Sequence, residues 1–151
     1  MLRQVVGRQK HRVERVLTQT CQQITLIVGD DFRQQNGYVE TKLLLQIERP
    51  PTAIFATSDL ITLGALDALA EEGVSIPDDI SLLSFDDFDF APHLRCPLTA
   101  VRQPREMMGE MAVKLLIDHL KDAAAEVKRI VLKPKLIIRN SVALPRSRNG
   151  P

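Results

Sequence analysis

The sequence predicts an α/β protein with a Rossmann-like parallel sheet and helices on both of its faces. Residues 53–56 and 80–85 are short apolar runs without polar alternation, which is typical of strands buried on both faces. The segment between them begins with helix-capping residues and ends at Gly73, as a helix does. A strand, a helix and a second strand in this order form a βαβ unit, from which parallel sheets are built.

Prolines and polar residues lie at the borders of this unit. Residues 50 and 51 are both proline, which cannot continue a helix. Ser58 and Asp59 follow the first strand and offer side-chain oxygens to a helix start. Asp86 and Asp87 follow the second strand. Because ligands bind at the carboxyl ends of the strands in an open parallel sheet, the sequence predicts a binding site here.

The segment before the unit is basic at its start. Apolar residues at helical spacing predict a helix over about 10–20, so 1–23 is interpreted as a poorly defined, basic, helical N-terminal segment. A solvated helix face is the usual explanation for its arginines, and contact with DNA is the less favoured alternative. Residues 24–28 have a buried-strand pattern, and 37–48 predicts a helix.

The segment after the unit continues the alternation. Thr99–Arg102 predicts a strand, and Pro104 begins a helix that runs to about Leu120 with an apolar stripe typical of core or partner surface. Residues 129–132 and 136–138 predict two further strands, and 142–151 predicts a flexible tail.

Composition excludes several classes of function. A net charge of +1 gives no bulk attraction to nucleic acid, and no apolar run approaches the length of a membrane span. Cys21 and Cys96 fit no motif spacing, which favours buried thiols in a reduced, cytoplasmic setting. The three histidines lack companions at metal-ligand spacing, and there is no phosphate-binding glycine loop or nucleophile motif. We therefore expect no catalysis, no metal and no cofactor.

Six short motifs carry a resemblance to a known family. In order they are PPTAIFA with Asp59 shortly after it, LGAL, EGVSIPDDIS, FDD, PLTAVRQP and LKPKLIIRNS. Together they resemble the effector domain of the lactose-repressor/galactose-repressor (LacI/GalR) family of bacterial transcription regulators, over roughly residues 32–141. The resemblance implies one lobe of a periplasmic-binding-protein-like domain, with 24–141 as the ligand-sensing lobe. Ser58 stands where the family usually has asparagine.

The resemblance also implies which residues bind the effector. Phe32 is expected to stack on a bound sugar or base, although a phenylalanine that closes the core at a strand end is an equal alternative. Asp86 is expected to accept hydrogen bonds from the effector, and Gln103 and Ser58 to lie at the edges of the site. The alternatives for the two aspartates are a cap or turn residue and a solvated carboxylate, for Gln103 a hinge hydrogen bond, and for Ser58 a helix cap.

Partners follow from the same resemblance. A homodimer is expected, with Leu63, Leu66 and His93 in its interface, and a full-length regulator is a second candidate partner. We expect a truncated sensor of a sugar or nucleobase-like effector that lacks its own helix-turn-helix headpiece and does not bind DNA specifically alone. The alternatives are an interaction or dimerisation module without ligand binding, and a transport-type sugar-binding protein.

Overall fold

The computed structural model describes residues 14–17, 24–27, 29, 31–121 and 128–145. The chain forms two compact units, each built from two stretches of sequence. The first unit takes Met1–Pro51 and Leu60–Ser75, and the second takes Thr52–Asp59 and Ile76–Pro151. Within the described ranges no helix is both long and apolar enough to cross a membrane.

Six strands and three α-helices make up the described chain. The strands are β1 (Glu14–Leu17), β2 (Ile24–Ile27), β3 (Ala53–Ala56), β4 (Ser81–Phe85), β5 (Thr99–Arg102) and β6 (Lys135–Ile137). The helices are α1 (Gln34–Gln46), α2 (Asp59–Glu71) and α3 (Arg105–Lys121), with a short 3₁₀ turn at Ala91–His93. β3 and β5 match the predicted bounds residue for residue, and the predicted α/β class is confirmed.

The second unit is organised around a four-stranded sheet in the order β3-β4-β5-β6. β3, β4 and β5 are parallel, and β6 runs antiparallel at the edge. In the central strands Leu82 and Ala100 have no exposed surface, whereas Leu83, Phe85 and Val101 are half-buried. The prediction that 53–56 is a strand buried on both faces is wrong, because β3 lies at the edge of the sheet and leaves Phe55 52% exposed. Because β3, β4 and β5 are parallel, their carboxyl ends lie at one edge of the sheet.

In the first unit, α1 and α2 approach each other through two glycines. A methyl group added to Gly64 would clash with the carbonyl oxygen of Gln34 and lie only 2.6 Å from the amide nitrogen of Tyr38. One added to Gly37 would lie 2.8 Å from the Cα of Ile61. Backbone therefore packs against backbone where the helices meet, and only glycine leaves the room.

Polar bonds join the same two helices at their exposed sides. The hydroxyl of Tyr38 donates to Oε2 of Glu71 at 2.5 Å, and Nζ of Lys42 donates to Glu71 at 2.8 Å and to Glu72 at 2.5 Å. These carboxylates raise the pKa of Lys42 well above its usual range.

Two predicted elements are wrong. The helix predicted over about 10–20 is replaced at Glu14–Leu17 by β1, which pairs antiparallel with β2 from Glu14 opposite Ile27 to Leu17 opposite Ile24. The spacing of a few apolar residues does not by itself distinguish a strand from a helix, and here the pairing with β2 stabilises the strand. The strand predicted over 129–132 is irregular, because Ile130 and Leu132 line a groove beside α3 instead of joining the sheet.

The predictions for the two cysteines and for the C-terminal tail fall partly on residues outside the described ranges. Cys21 is outside them, whereas Cys96 is a free, half-buried thiol whose pKa burial raises. Ala143 lies in the predicted tail, yet its amide donates to the hydroxyl of Ser81 at 3.1 Å, and that hydroxyl is 3.2 Å from the carbonyl oxygen of Ala143.

Candidate functional site

Polar side chains follow all three parallel strands at the carboxyl edge of the sheet. Ser58 comes shortly after β3, Asp86 directly after β4 and Gln103 directly after β5. Nε2 of Gln103 donates a hydrogen bond of 2.8 Å to Oδ1 of Asp86. The structure thus bonds two of the four predicted effector-binding residues to each other and places a third, Ser58, at the same edge.

Asp86 has an unusual backbone conformation. Its φ is +98°, in the region that non-glycine residues rarely adopt. Two neighbours hold it there, since the hydroxyl of Ser84 donates to the Asp86 carbonyl oxygen at 2.9 Å and the Asp86 amide donates to the carbonyl oxygen of Val101 at 3.1 Å. Such strain costs about 1–3 kcal/mol and occurs most often at binding and catalytic sites.

Asp87 turns into the protein, and its carboxylate is almost fully buried, with 2% of its side-chain surface exposed. Nη1 of Arg139 donates to Oδ1 at 2.8 Å and Nη2 to Oδ2 at 3.0 Å, while Nε of Arg102 donates to Oδ2 at 2.8 Å. Hydrogen bonding from Arg139, and secondarily from Arg102, lowers the pKa of Asp87 although burial opposes the shift. The sequence alternatives for Asp87, a cap, a turn or a solvated residue, did not include this buried pair.

Two consecutive residues at the end of β4 therefore form hydrogen bonds with two consecutive residues at the end of β5. Asp86 pairs with Gln103 and Asp87 with Arg102, which fixes the end of β4 to the end of β5. We call these four residues and Arg139 the strand-end cluster. Nη2 of Arg105 adds a bond of 3.1 Å to the Asp87 carbonyl oxygen.

The roles of Arg102 and Arg139 were not found from the sequence. These arginines are 15 and 52 residues from Asp87, so no motif spacing links them to it. The sequence contains only a weak signal for these pairings, because each arginine is simply a basic residue at the end of an apolar run.

A groove of about 620 Å³ lies beside the cluster. Gln103 belongs to both, and the remaining walls are mostly apolar side chains of α3 and of residues 128–134. Lys128 and Arg129 add positive charge to the lining.

The other predicted residues lie elsewhere. Phe32 belongs to the first unit, where 65% of it is exposed, and its stacking role stays a prediction. Leu63 and Leu66 are half-buried on α2, and His93 is exposed at the end of the 3₁₀ turn. The described part of the chain contains no group of three or more side chains suited to a metal ion.

The sequence and the fold of this chain are similar to those of known proteins. The periplasmic binding protein-like domain family matches residues 6–142. The chain is 32% identical over 116 residues to the HTH-type transcriptional repressor PurR of Photobacterium profundum, and 34% identical to the ribose operon repressor of Haemophilus influenzae. Each match covers 77% of this chain and 35% of the repressor.

A solved structure shows the same relationship. A LacI family transcriptional regulator from Enterococcus faecium with bound ribose superposes with a TM-score of 0.67 at 32% identity. The match covers 76% of this chain and 41% of that one. The chain thus spans about a third of the length of the curated relatives that it matches.

Proposed function

This chain belongs to the periplasmic binding protein-like domain family, as part of a LacI/GalR-type effector domain, and from that membership we propose that it senses a small-molecule effector for a transcription regulator. The observation that carries the proposal is the hydrogen-bonded pair of Asp86 and Gln103 at the carboxyl edge of the sheet. Ligands of open parallel sheets bind at this edge.

The chemistry of the pair suits a polyhydroxylated effector. The carboxylate of Asp86 only accepts hydrogen bonds, and with one oxygen bonded to Gln103 the other is suited to a hydroxyl or ring N–H group. The amide of Gln103 still carries a second N–H and its carbonyl oxygen. Sugars present such hydroxyls in neighbouring pairs, and bound ribose in the Enterococcus faecium regulator supports a sugar.

A third residue of the second unit belongs to the proposed site. The hydroxyl of Ser58 follows β3 at the same edge and is suited to a further hydroxyl of the effector. Phe32, in the first unit, is a separate proposal: its exposed ring is suited to stacking on the apolar side of a sugar ring or on a base. A regulator acts where the DNA is, so the proposal also places the chain in the cytoplasm.

Calorimetry on the whole chain tests this proposal. D-ribose is titrated first, followed by a panel of monosaccharides, sugar phosphates and purine bases. Asp86→Ala should weaken binding about five- to a hundred-fold, because it removes an acceptor for buried ligand hydroxyls. Asp89→Ala, at an exposed carboxylate nearby in sequence, is the matched control and should bind as the original chain does. Binding that Asp86→Ala leaves unchanged would place the site elsewhere.

A dimerisation module is the second candidate function, supported by the incompletely buried leucines on α2. We propose that Leu63, Leu66 and His93 contribute to a dimer interface of the family type, and that the chain alone does not bind an operator specifically. Leu63→Asp should lower the mass seen in sedimentation, and a panel that yields no ligand would favour this module over the sensor.

A further inference from the structure

Ser84 is a fully buried polar residue near the end of β4. It lies between Leu83 and Phe85, and none of its surface is exposed. A buried hydroxyl destabilises a fold unless it is hydrogen-bonded, and alanine would occupy the same place without that requirement. The Oγ of Ser84 donates a hydrogen bond of 2.9 Å to the carbonyl oxygen of Asp86, two residues further along the chain. The hydroxyl therefore acts at the point where β4 ends.

The chain leaves the sheet at Asp86. Phe85 is the last residue of β4 and pairs with Val101, and at Asp86 the φ angle becomes +98°. The amide of Asp86 donates to the carbonyl oxygen of Val101 at 3.1 Å, and the carbonyl oxygen of Asp86 accepts from the hydroxyl of Ser84. Any residue other than proline supplies the first bond from its main chain, whereas the second needs a hydroxyl at position 84. The conformation of Asp86 thus depends on the side chain of Ser84.

The turn at Asp86 gives two consecutive carboxylates different surroundings. The carboxylate of Asp87 is buried against Arg139, while that of Asp86 accepts a hydrogen bond of 2.8 Å from Gln103. The carbonyl group that Ser84 holds belongs to the peptide that joins these two aspartates. Because φ is the rotation about the bond between N and Cα, a return of Asp86 to negative φ would swing its side chain away from Gln103. The bond between Asp86 and Gln103 therefore requires the conformation that Ser84 stabilises.

We propose that Ser84 is a positioning residue for effector binding, whose hydroxyl holds Asp86 in the conformation that presents its carboxylate to Gln103 and to the effector. This role rests on the proposed function, in which Asp86 is an acceptor for the effector. Ser84 is fully buried, so it acts through Asp86 and does not touch the effector. Its loss changes a population. The effector binds the molecules that keep the positive φ, and the apparent Kd rises by the inverse of their fraction.

Nuclear magnetic resonance measures that fraction without any effector. The one-bond coupling between Cα and Hα of Asp86 differs between positive and negative φ, and the side-chain amide signals of Gln103 report its bond to Asp86. Ser84→Ala should move the coupling toward its value at negative φ and the amide signals toward those of a free glutamine. Ser84→Thr keeps the donor and should retain both. A coupling and amide signals unchanged in Ser84→Ala would overturn the proposal.

Ser141→Ala is the matched control for a general loosening of the sheet. Ser141 is as fully buried as Ser84, and its hydroxyl bonds backbone groups near the amino ends of β4 and β5, away from Asp86. The control should lose stability but keep the Asp86 coupling and the Gln103 signals of the original chain. Equal changes in Ser84→Ala and Ser141→Ala would mean that Ser84 only stabilises the fold, and the proposal would be wrong.

Calorimetry with D-ribose, followed by the same panel, connects this position to binding. Ser84→Ala should raise the Kd about two- to ten-fold, the weight of one hydrogen bond, and by the factor that the measured fraction predicts. Ser141→Ala should bind as the original chain does. A Kd that stays unchanged in Ser84→Ala although the coupling moves would overturn the role in binding. If no compound binds even the original chain, the proposed function fails, and the resonance signals alone decide whether Ser84 holds Asp86.

Discussion

Arg139 meets the carboxylate of Asp87 edge to edge, with Nη1 2.8 Å from Oδ1 and Nη2 3.0 Å from Oδ2. The carboxylate is buried, and Arg102 donates to it from another side. Asp87→Asn keeps the shape of the side chain but removes its charge, which leaves two arginines without their counter-charge. We expect a loss of about 3–5 kcal/mol in the free energy of unfolding by urea. Asp89→Asn, at an exposed position, is the control and should change little.

The same pair makes stability depend on pH. The pKa of Asp87 is lower in the folded chain than in the unfolded one, so its contribution is fully present above the unfolded value of about 4. That contribution is lost as the pH falls through the folded value. Between pH 7 and 3 the original chain should therefore lose more unfolding free energy than Asp87→Asn does. Equal losses in the two proteins would contradict this assignment.

We expect the side chain of Asp86 to contribute more to effector binding than to the free energy of unfolding. Asp86→Gly and Asp86→Ala both lose the bond to Gln103, but only glycine relieves the positive φ, so we expect the Gly variant to be about 1 kcal/mol more stable than the Ala variant. Binding of any effector found by calorimetry should be lost in the same variant. Asp86→Ala removes the carboxylate but keeps the strain, so it separates the two effects. A Gly variant less stable than the Ala variant would argue against strain at this residue.

Gly64 should tolerate no side chain. Gly64→Ala would drive a methyl group into the backbone of α1 at Gln34 and Tyr38, so the helices must separate, and we expect a loss of about 2 kcal/mol or more. Gly109→Ala makes the same chemical change in an open part of α3 and should stabilise by up to about 1 kcal/mol. Thermal unfolding at low chain concentration compares the two. Similar effects from both changes would mean that α1 and α2 are not in direct backbone contact.

We expect the side chain of Ser141 to stabilise the fold through its hydroxyl group alone. Its Oγ accepts from the amide of Thr99 at 2.8 Å and donates to the carbonyl oxygen of Leu82 at 2.6 Å, and all three residues are buried. Ser141→Ala removes both of these buried hydrogen bonds, at a cost of about 1–3 kcal/mol in urea unfolding. Ser141→Thr keeps the hydroxyl and should recover part of that loss. An Ala variant as stable as the original would mean that water replaces the hydroxyl.

Local pattern was enough to predict most of the second unit. The runs at 53–56 and 99–102 are strands because they are apolar, short and bounded by turn residues, all of which neighbouring sequence shows. Two residues of the candidate site, Asp86 and Gln103, were named from the sequence, and the structure bonds them to each other. The long-range partners were missed, because the pairing of Asp87 with Arg139 is set by strand order rather than by spacing.

The bonds of Ser141 also set when this protein can finish folding as it is synthesised. Its own carbonyl oxygen accepts from the amide of Leu82, and its hydroxyl serves the other two backbone groups. A nascent chain that has already made β4 and β5 therefore still lacks the three hydrogen bonds that Ser141 makes to them. The described helices of the first unit are complete once Ser75 has been made. A message that stops just before Arg139 would thus yield a chain whose sheet stays open to proteases.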